Sequence, residues 1–346
     1  MGLLTVTVIV TVLDDPRLAR CLESLAHQQR LPEVVLIADG GDSPEIAAIC
    51  ARFAATDPRY VHLKVPGSIT QSRNQAIASV HTDLLAFLDT DEVAPPEWLG
   101  ALIAPLLAHE EIGFTGGPTP ALAGTTRNRS ARYYDAYLRR FYEEVSSVKA
   151  TAIPMGNSAF RKRLFDELGP LVAALPTNGA EDQDFENRAV ERGWRAEYVR
   201  AAYVSHDYSE LDFGSLLRRQ YRYASGAYIV WRRYRRAYEA SRADLAYLVL
   251  PGLLLVSLLL LALFRGWVGG AATVLLLLTG VGFLALELNL AIQGSRGESR
   301  YPGFRYRPLI EPFRKWATML GAFSAMFARS ARSEPAVPPR TGDLRP

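Results

Sequence analysis

The sequence contains few cysteines: Cys21 and Cys50 are the only two in 346 residues. They allow one disulfide at most, and their spacing is not that of a zinc site. This shortage favours a reduced, cytosol-facing environment. The chain also lacks a strong excess of positive charge, with 39 basic against 36 acidic residues. Proteins that bind nucleic acid through a broad basic surface need such an excess, so we expect no nucleic-acid partner.

The amino terminus lacks the features of a signal peptide. Residues 3–13 form an apolar, β-branched run with no basic residue before it and no small-residue cleavage site after it. Valine, isoleucine and threonine dominate the run, and Asp14, Asp15 and Pro16 follow it. This pattern predicts a buried parallel strand that ends in a loop.

Short apolar runs alternate with amphipathic stretches up to about residue 115. The alternation is typical of strand–helix units around a mostly parallel sheet, so the predicted fold class is α/β. The predicted strands are Thr5–Leu13, Glu33–Ala38, Tyr60–Val65 and Leu84–Leu88, and the helices between them are Pro16–Gln28, Ser43–Ala55 and Ser68–Val80. A tyrosine- and arginine-rich stretch at about 130–145 predicts a further helix.

Acidic clusters follow three of these strands, at residues 14–15, 39–42 and 89–92. The ligand crevice of an open parallel sheet lies at the carboxyl ends of its strands, so we expect the clusters to converge. Asp89 and Asp91 stand two positions apart and can hold a divalent cation with oxygen ligands. Capping of the next helix is one alternative. A phosphohydrolase nucleophile is another, but it requires the motif on the first strand.

Two segments of twenty residues carry no charge, Leu245–Phe264 and Trp267–Leu286. Each is long enough for a helix to cross the hydrocarbon of a bilayer, and the short connection predicts a tight hairpin. A buried helical pair in a soluble core is the alternative. Arginines are dense on both sides, so the positive-inside rule places both flanks in the cytoplasm. The stretch Pro308–Ala328 predicts an amphipathic helix at the membrane interface or against the two spans.

Six ordered segments between about residues 4 and 225 resemble inverting nucleotide-sugar glycosyltransferases of family 2, which have the GT-A fold. They are TVTVIVTVLDDP, VVLIADGGDS, QSRNQAIASV, AFLDTDE, GNSAFRKRLFDELGPL and AEDQDFENRAVERGW. The second segment departs from the family, whose members often have two acidic residues before the glycine where this chain has Ala38 and Asp39.

The resemblance implies a site residue by residue. Donor-binding positions are Thr11, Asp39, Arg73, Asn74 and Asp89, with Gln220, Arg222 and Tyr223 from a segment that matches the family's QxxRW motif imperfectly. Asp91 and Asp89 imply Mg²⁺ or Mn²⁺ on the diphosphate, and His206 is a further metal candidate. Asp182 is implied as the general base that takes the proton of the acceptor hydroxyl. Gly156, Asn157 and Glu181 are expected on the acceptor side.

Several of these positions also have a purely structural interpretation. The segment Asp39–Gly41 has the composition of an ordinary turn. An arginine on a helix, such as Arg73, is usually solvated. Glu181 and Asp182 can be an acidic cluster favoured by a helix dipole, and a single histidine such as His206 is more often structural.

The resemblance and the apolar segments together predict a membrane-anchored, metal-dependent enzyme. It would transfer a sugar from a nucleotide donor to a lipid-linked saccharide at the cytoplasmic face of the plasma membrane, in envelope polysaccharide or glycoconjugate assembly. One alternative acceptor is polyprenyl phosphate itself, and another possibility is a noncatalytic scaffold that binds nucleotide sugar. The predicted divisions are a catalytic domain at 1–225, a basic interfacial helix at 226–243, two transmembrane helices at 244–293, a juxtamembrane segment at 294–330 and a disordered tail at 331–346.

Overall fold

The computed structural model describes residues 4–145, 153–172, 179–234, 242–264 and 266–327. The strands are β1 Val6–Val12, β2 Val34–Asp39, β3 Tyr60–Lys64, β4 Leu84–Asp89, β5 Glu92–Val93, β6 Ile112–Gly116, β7 Asn157–Arg161, β8 Arg195–Tyr198 and β9 Ser205–His206. The helices are α1 Leu18–Ala26, α2 Pro44–Thr56, α3 Ile69–Ala78, α4 Trp98–Ala108, α5 Arg129–Val145, α6 Lys162–Leu168, α7 Glu181–Glu191, α8 Phe213–Tyr234, α9 Arg242–Leu263, α10 Trp267–Gly297 and α11 Arg307–Phe327. The predicted tail at 331–346 lies outside the described residues.

Seven strands form one mixed sheet in the order β3-β2-β1-β4-β7-β6-β8. The first four in this order are parallel to one another, whereas β7 runs antiparallel to both of its neighbours. The predicted α/β class with a mostly parallel sheet is therefore confirmed. In β1, Thr11 lies opposite Asp89 of β4 on one side and Ala38 of β2 on the other, so these strands end at nearly the same level.

The core lies on both faces of the sheet because β1 is buried on both. Val8 and Val10 pack with apolar side chains of α1, α2 and α4 on one face. Ile9 packs with α3, α6 and α7 on the other. A strand buried on both faces is expected to be continuously apolar, which explains the composition of residues 3–13. The strand predicted there is confirmed.

The first seven predicted elements all form, each within a few residues of the expected bounds. The predicted boundary at residue 225 lies inside α8, which continues from Phe213 to Tyr234 without a break. The catalytic part and the predicted interfacial helix therefore share one helix. This continuity was hidden in the sequence because arginine and tyrosine are dense on both sides of residue 225.

The carboxyl-terminal part is helical. Among the described residues, α10 is the one helix long and apolar enough to cross a membrane by length and composition. The apolar stretch found in α9 is shorter, Leu253–Leu263, so the hairpin of two spans stays a prediction. α10 also extends beyond the predicted end at Leu286 to Gly297. α11 confirms the expected amphipathic helix and packs along α8.

Small residues allow α11 to approach the backbone of α8 closely. The Ser225 hydroxyl donates a hydrogen bond to the Gly321 carbonyl oxygen at 2.9 Å. A Cβ atom at Gly321 would lie 2.3 Å from the carbonyl oxygen of Tyr221, which is far inside contact distance. The two helices are further connected by an Arg314 side-chain hydrogen bond to Gln220 at 3.1 Å.

Replacement of Gly321 by alanine is expected to separate α8 from α11. Overpacking of this kind costs about 1–3 kcal/mol, so Gly321→Ala should lower the midpoint of thermal unfolding, followed by tryptophan fluorescence in detergent. Gly100→Ala in α4 is the matched control, because its Cβ would meet nothing closer than Arg30 Cβ at 3.7 Å. The control should be neutral or stabilising, since alanine favours a helix by up to about 1 kcal/mol. Equal responses of the two variants would contradict the close packing.

Candidate active site

A cavity of about 740 Å³ opens at the carboxyl ends of β1 and β4. The residues that line it come from two strand ends, from the amino terminus of α7, and from α5 and α8; among them are Thr11, Asp15, Asp89, Asp91, Glu181 and Asp182. Two of the three strand-end acidic clusters, 14–15 and 89–92, thus reach one cavity. No residue of the cluster at 39–42 lines the cavity. This cluster does contact the cluster at 14–15, because Asp14 Oδ1 accepts hydrogen bonds from the Asp42 N–H at 3.0 Å and the Ser43 N–H at 2.8 Å. Its convergence on the same site stays a prediction.

Arg73 ties the end of β4 to the start of α7. Its guanidinium donates from Nη2 to Asp89 Oδ1 at 2.8 Å and from Nη1 to Glu181 Oε1 at 3.3 Å. The residue is 7% exposed, so the interpretation of a solvated arginine is wrong. A buried cation is stable only when it is paired, and Arg73 therefore holds the two carboxylates at a fixed separation.

His206 lies beside Asp91 because the short strands β5 and β9 pair, with Glu92 opposite His206. His206 Nε2 is 3.5 Å from Asp91 Oδ2, and its ring stacks on Tyr208 at 4.4 Å between centroids. Burial, together with nearby Arg219, lowers the pKa of His206 to about 3. The imidazole is therefore neutral at physiological pH and can bind a metal through a ring nitrogen.

Asp91 and His206 fit a divalent cation, but the predicted trio with Asp89 is not preformed. No three carboxylate, imidazole or thiol groups in the described part of the chain gather as a metal cluster. Asp89 is held by Arg73 instead. Mg²⁺ in nucleotide enzymes takes one or two protein carboxylates and the remaining ligands from substrate phosphates and water. The donor set therefore fits a cation that binds together with a diphosphate.

Glu92 and Gly156 contact Asp89 and help to fix its position. The Glu92 carboxyl accepts a hydrogen bond from the Asp89 backbone N–H at 3.1 Å. Burial, reinforced by the charges of Asp89 and Asp91, raises the pKa of Glu92 well above its ordinary value. A Cβ atom at position 156 would lie 2.4 Å from Asp89 Oδ2, so a glycine is required there for the carboxylate to fit.

Asp182 occupies the first turn of α7, next to Glu181. The helix begins after Ala180, whose φ of 72° lies in the left-handed region that residues other than glycine adopt only when the surroundings enforce it. Burial, reinforced by the charge of Glu181, raises the pKa of Asp182 to about 6. A carboxylate with a pKa near neutrality is suited to accepting a proton at physiological pH.

Three of the residues expected in the site do not line the cavity: Asp39, Asn74 and Asn157. The Asp39 carboxylate binds His62 at 3.0 Å and Lys64 at 3.2 Å, and it also accepts from the Gly41 N–H. The Asn74 side chain donates from Nδ2 to the Leu171 carbonyl oxygen at 2.8 Å and accepts at Oδ1 from the Leu171 N–H at 2.9 Å. A contact of either residue with the donor stays a prediction.

Asn157 is fully buried and holds the loops behind the cavity together. Its Oδ1 accepts a hydrogen bond from the indole N–H of Trp98 at 2.8 Å. Its Nδ2 donates to the carbonyl oxygens of Pro118 and Ala202 at 3.1 and 2.8 Å. The neighbouring Gly156 lines the cavity, so only one residue of the expected Gly-Asn pair reaches it.

The α8 residues Gln220, Arg222 and Tyr223 all line the cavity, as expected from the imperfect motif. Sequence reasoning missed Arg219, which lines it as well. The charge of neighbouring Tyr223 raises the pKa of Arg219, and the charge of Asp91 adds to this effect, so the guanidinium is protonated in the cavity that Asp91 also lines. An arginine there is placed to bind phosphate. The sequence feature that could have indicated Arg219 is the pair of arginines directly before Gln220. The QxxRW motif does not include these two positions.

The aromatic wall of the cavity was also missed. Tyr134, Tyr137, Phe141 and Tyr142 of α5 line the cavity, and neighbouring rings in this row lie 5.6–6.4 Å apart between centroids. Their helical spacing was visible in the sequence but did not indicate which face points inward. Aromatic faces provide the apolar area against which a sugar ring can pack.

Comparison with known proteins agrees with this geometry. Residues 7–169 match the protein family described as Glycosyl transferase family 2. Glycosyltransferase AglE of Haloferax volcanii is 25% identical over 238 residues, which are 65% of this chain and 74% of AglE. The amylovoran biosynthesis glycosyltransferase AmsE of Erwinia amylovora is 32% identical over 102 residues, 29% of this chain and 38% of AmsE. This chain is a glycosyltransferase with a family 2 domain.

The fold of the glycosyltransferase is shared with a solved structure. The mannosyltransferase PcManGT from Pyrobaculum calidifontis, in complex with GDP-Man and Mn²⁺, superimposes with a TM-score of 0.57 at 16% identity. The match covers 94% of this chain and 87% of that one. The GT-A fold implied by the resemblance is therefore confirmed.

Replacement of Arg219 in the glycosyltransferase is expected to weaken donor binding. Arg219→Gln removes a charge-assisted hydrogen bond to phosphate worth about 1.5–3 kcal/mol, so KM for the nucleotide sugar should rise about 10- to 150-fold. Steady-state release of nucleotide at varied donor concentration measures this change. Arg192→Gln, at an exposed position after α7, is the control and should leave KM unchanged. An unaltered KM in Arg219→Gln would exclude the phosphate contact.

Proposed function

We propose that the enzyme transfers a sugar from a nucleotide-diphosphate donor to a lipid-linked saccharide at the cytoplasmic face of the membrane, with inversion at the anomeric carbon and with a divalent cation. The observation that carries the proposal is one cavity that is lined by Asp91 and His206 on one side and by Asp182 on another. Arg73 joins the two sides through Asp89 and Glu181.

The donor half of the proposed reaction lies around Asp91. Asp91 and His206 would hold Mg²⁺ or Mn²⁺, and Arg219 would bind a phosphate oxygen of the donor. When bound, the cation would neutralise the negative charge that develops on the departing nucleoside diphosphate. The presence of GDP-Man and Mn²⁺ in the complex of PcManGT supports this donor class.

The acceptor half depends on Asp182. Its carboxylate would accept the proton of the acceptor hydroxyl as that oxygen attacks the anomeric carbon, and the bond to the diphosphate breaks on the opposite side. A single displacement inverts the anomeric centre without a covalent intermediate. The desolvation that raises the pKa of Asp182 to about 6 makes it a stronger base than a solvated aspartate.

The acceptor class is inferred from the helices beyond the catalytic part. α10 is long and apolar enough to span a bilayer, and α11 exposes Leu309, Phe313 and Leu320 at 57%, 45% and 62%. An amphipathic helix of this kind lies in the membrane interface. The cavity opens against α8, which packs on α11, so an acceptor presented by a membrane lipid would be close to it.

Replacement of Asp91 is expected to remove metal-dependent turnover. Asp91→Asn should lower nucleotide release by about 100-fold or more, because a cation supplies several kcal/mol of transition-state stabilisation. Chelation should abolish activity of the native enzyme, and Mn²⁺ should restore it. Asp42→Asn is the matched control, since this strand-end carboxylate has a fully exposed side chain. Turnover that is unchanged by Asp91→Asn would remove the metal assignment and favour a noncatalytic role for this residue.

The pH profile is expected to report Asp182. The base functions as the carboxylate, so kcat/KM for a hydroxyl acceptor should fall about tenfold per pH unit below about 6, as protonation removes the active form. Asp182→Asn should lower the rate by about 10²–10⁴-fold and abolish this acidic limb. Circular dichroism over the same range controls for unfolding. A phosphate acceptor scarcely needs a base, so retention of most activity in Asp182→Asn would favour polyprenyl phosphate.

A further inference from the structure

A second depression lies on the outer side of the layer formed by α8 and α11. It encloses about 790 Å³ and has mostly apolar walls. Leu217 and Tyr221 of α8 form one wall, and Phe313, Trp316 and Leu320 of α11 form the other. We refer to these five residues as the interhelical groove.

The groove is part of a longer apolar stripe on α11. Phe313, Trp316 and Leu320 are 45%, 39% and 62% exposed, and Phe323 and Phe327 continue the stripe at 58% and 73%. Such a row on a helix that also contacts α9 and α10 is suited to lipid. Phe323 and Phe327 do not line the groove, so one part of the stripe lies in the groove and the other part lies on the open surface of α11.

Positive charge lies on the α8 wall of the groove. Arg218 and Arg222 line it, and no acidic side chain does so among the described residues. Arg222 also lines the active-site cavity, so the two cavities share this residue. An apolar trough with arginines at one wall is complementary to a molecule that has a hydrocarbon chain and an anionic phosphate.

The size of the groove indicates the kind of occupant. Small-molecule sites in proteins have volumes of roughly 300–1,000 Å³. The volume of this groove, about 790 Å³, lies within that range. A stable protein partner would contact about 20–30 residues on this side, whereas nine residues line the depression. A bilayer alone would not require a concave site with two arginines.

We propose that the interhelical groove binds the phosphate-bearing lipid that carries the acceptor, with the hydrocarbon chain against Phe313, Trp316 and Leu320 and the phosphate at Arg218 and Arg222. This inference rests on the proposed function, which supplies the lipid-linked acceptor. Because Arg222 borders both cavities, a lipid anchored in this way presents its polar end to the site that contains Asp182.

The test uses the full chain in nanodiscs of phosphatidylcholine. The probe is a long-chain isoprenyl monophosphate with a photoactivatable group near the middle of its chain. A phosphatidylcholine with the same group at matched depth serves as the control lipid. After irradiation, peptides that contain residues 215–222 and 313–320 are quantified by mass spectrometry. The phosphate probe is expected to label them about tenfold more than the control lipid, and an unlabelled long-chain alkyl phosphate should compete.

Two matched substitutions separate groove binding from membrane adsorption. Leu320→Glu places a charge in the groove, whereas Phe323→Glu places it on the exposed stripe outside. Leu320→Glu should lose about nine-tenths of the labelling, and Phe323→Glu should retain it. Arg218→Gln should reduce labelling by the phosphate probe but not by the control lipid. Nucleotide release without acceptor should be unchanged in Leu320→Glu, which shows that the enzyme is folded.

Equal labelling by the two lipids, or equal loss in the two glutamate variants, would overturn the proposal. Labelling requires no turnover, so its outcome is independent of the acceptor assignment. If the probe binds in the groove but mass analysis of membrane extracts finds no sugar on any lipid, the proposed function fails and the lipid site stands. If sugar is found on lipid while the groove is not labelled, the groove assignment fails alone.

Discussion

The pairing of one buried guanidinium with two carboxylates is the interaction on which the site depends. Arg73 lies between Asp89, at the end of a central strand, and Glu181, at the start of a helix far along the chain. Removal of a charge from water costs several kcal/mol unless partners compensate it, so the strand end and the helix cannot separate without leaving an unpaired charge. The pairing sets the separation between the end of β4 and the start of α7, and neither Asp91 nor Asp182 takes part in it.

Burial tunes the remaining groups in opposite directions. It raises the pKa of Asp182 to about 6 and lowers the pKa of His206 to about 3, because the charged form of each is disfavoured. A carboxylate that accepts protons near neutrality and an imidazole that stays neutral are what base catalysis and metal binding require. Helices α5 and α8 line the same cavity as these two groups. The same α8 packs on α11, so the helix at the membrane also completes the cavity.

The sequence predicted the residues that are constrained by the strands and missed those constrained by packing. Asp89 and Asp91 follow a buried strand, and the parallel arrangement of β1 and β4 determines where they lie. Asn74 and Asn157 belong to two other segments of the resemblance, but they bind backbone atoms of loops whose paths no local pattern specifies. Arg219 lines the cavity from α8, whose contact with α11 joins residues almost one hundred positions apart that no local pattern brings together.

The most direct test of the central claim is a structure of the enzyme with Mn²⁺ and a nonhydrolysable nucleotide sugar, in which anomalous scattering locates the manganese. The account predicts a peak within about 2.0–2.2 Å of an Asp91 carboxylate oxygen. It also predicts the Asp182 carboxylate on the side of the anomeric carbon opposite the diphosphate, with Arg73 still bound to Asp89 and Glu181. A peak remote from Asp91, or Asp182 on the diphosphate side of the sugar, would contradict it.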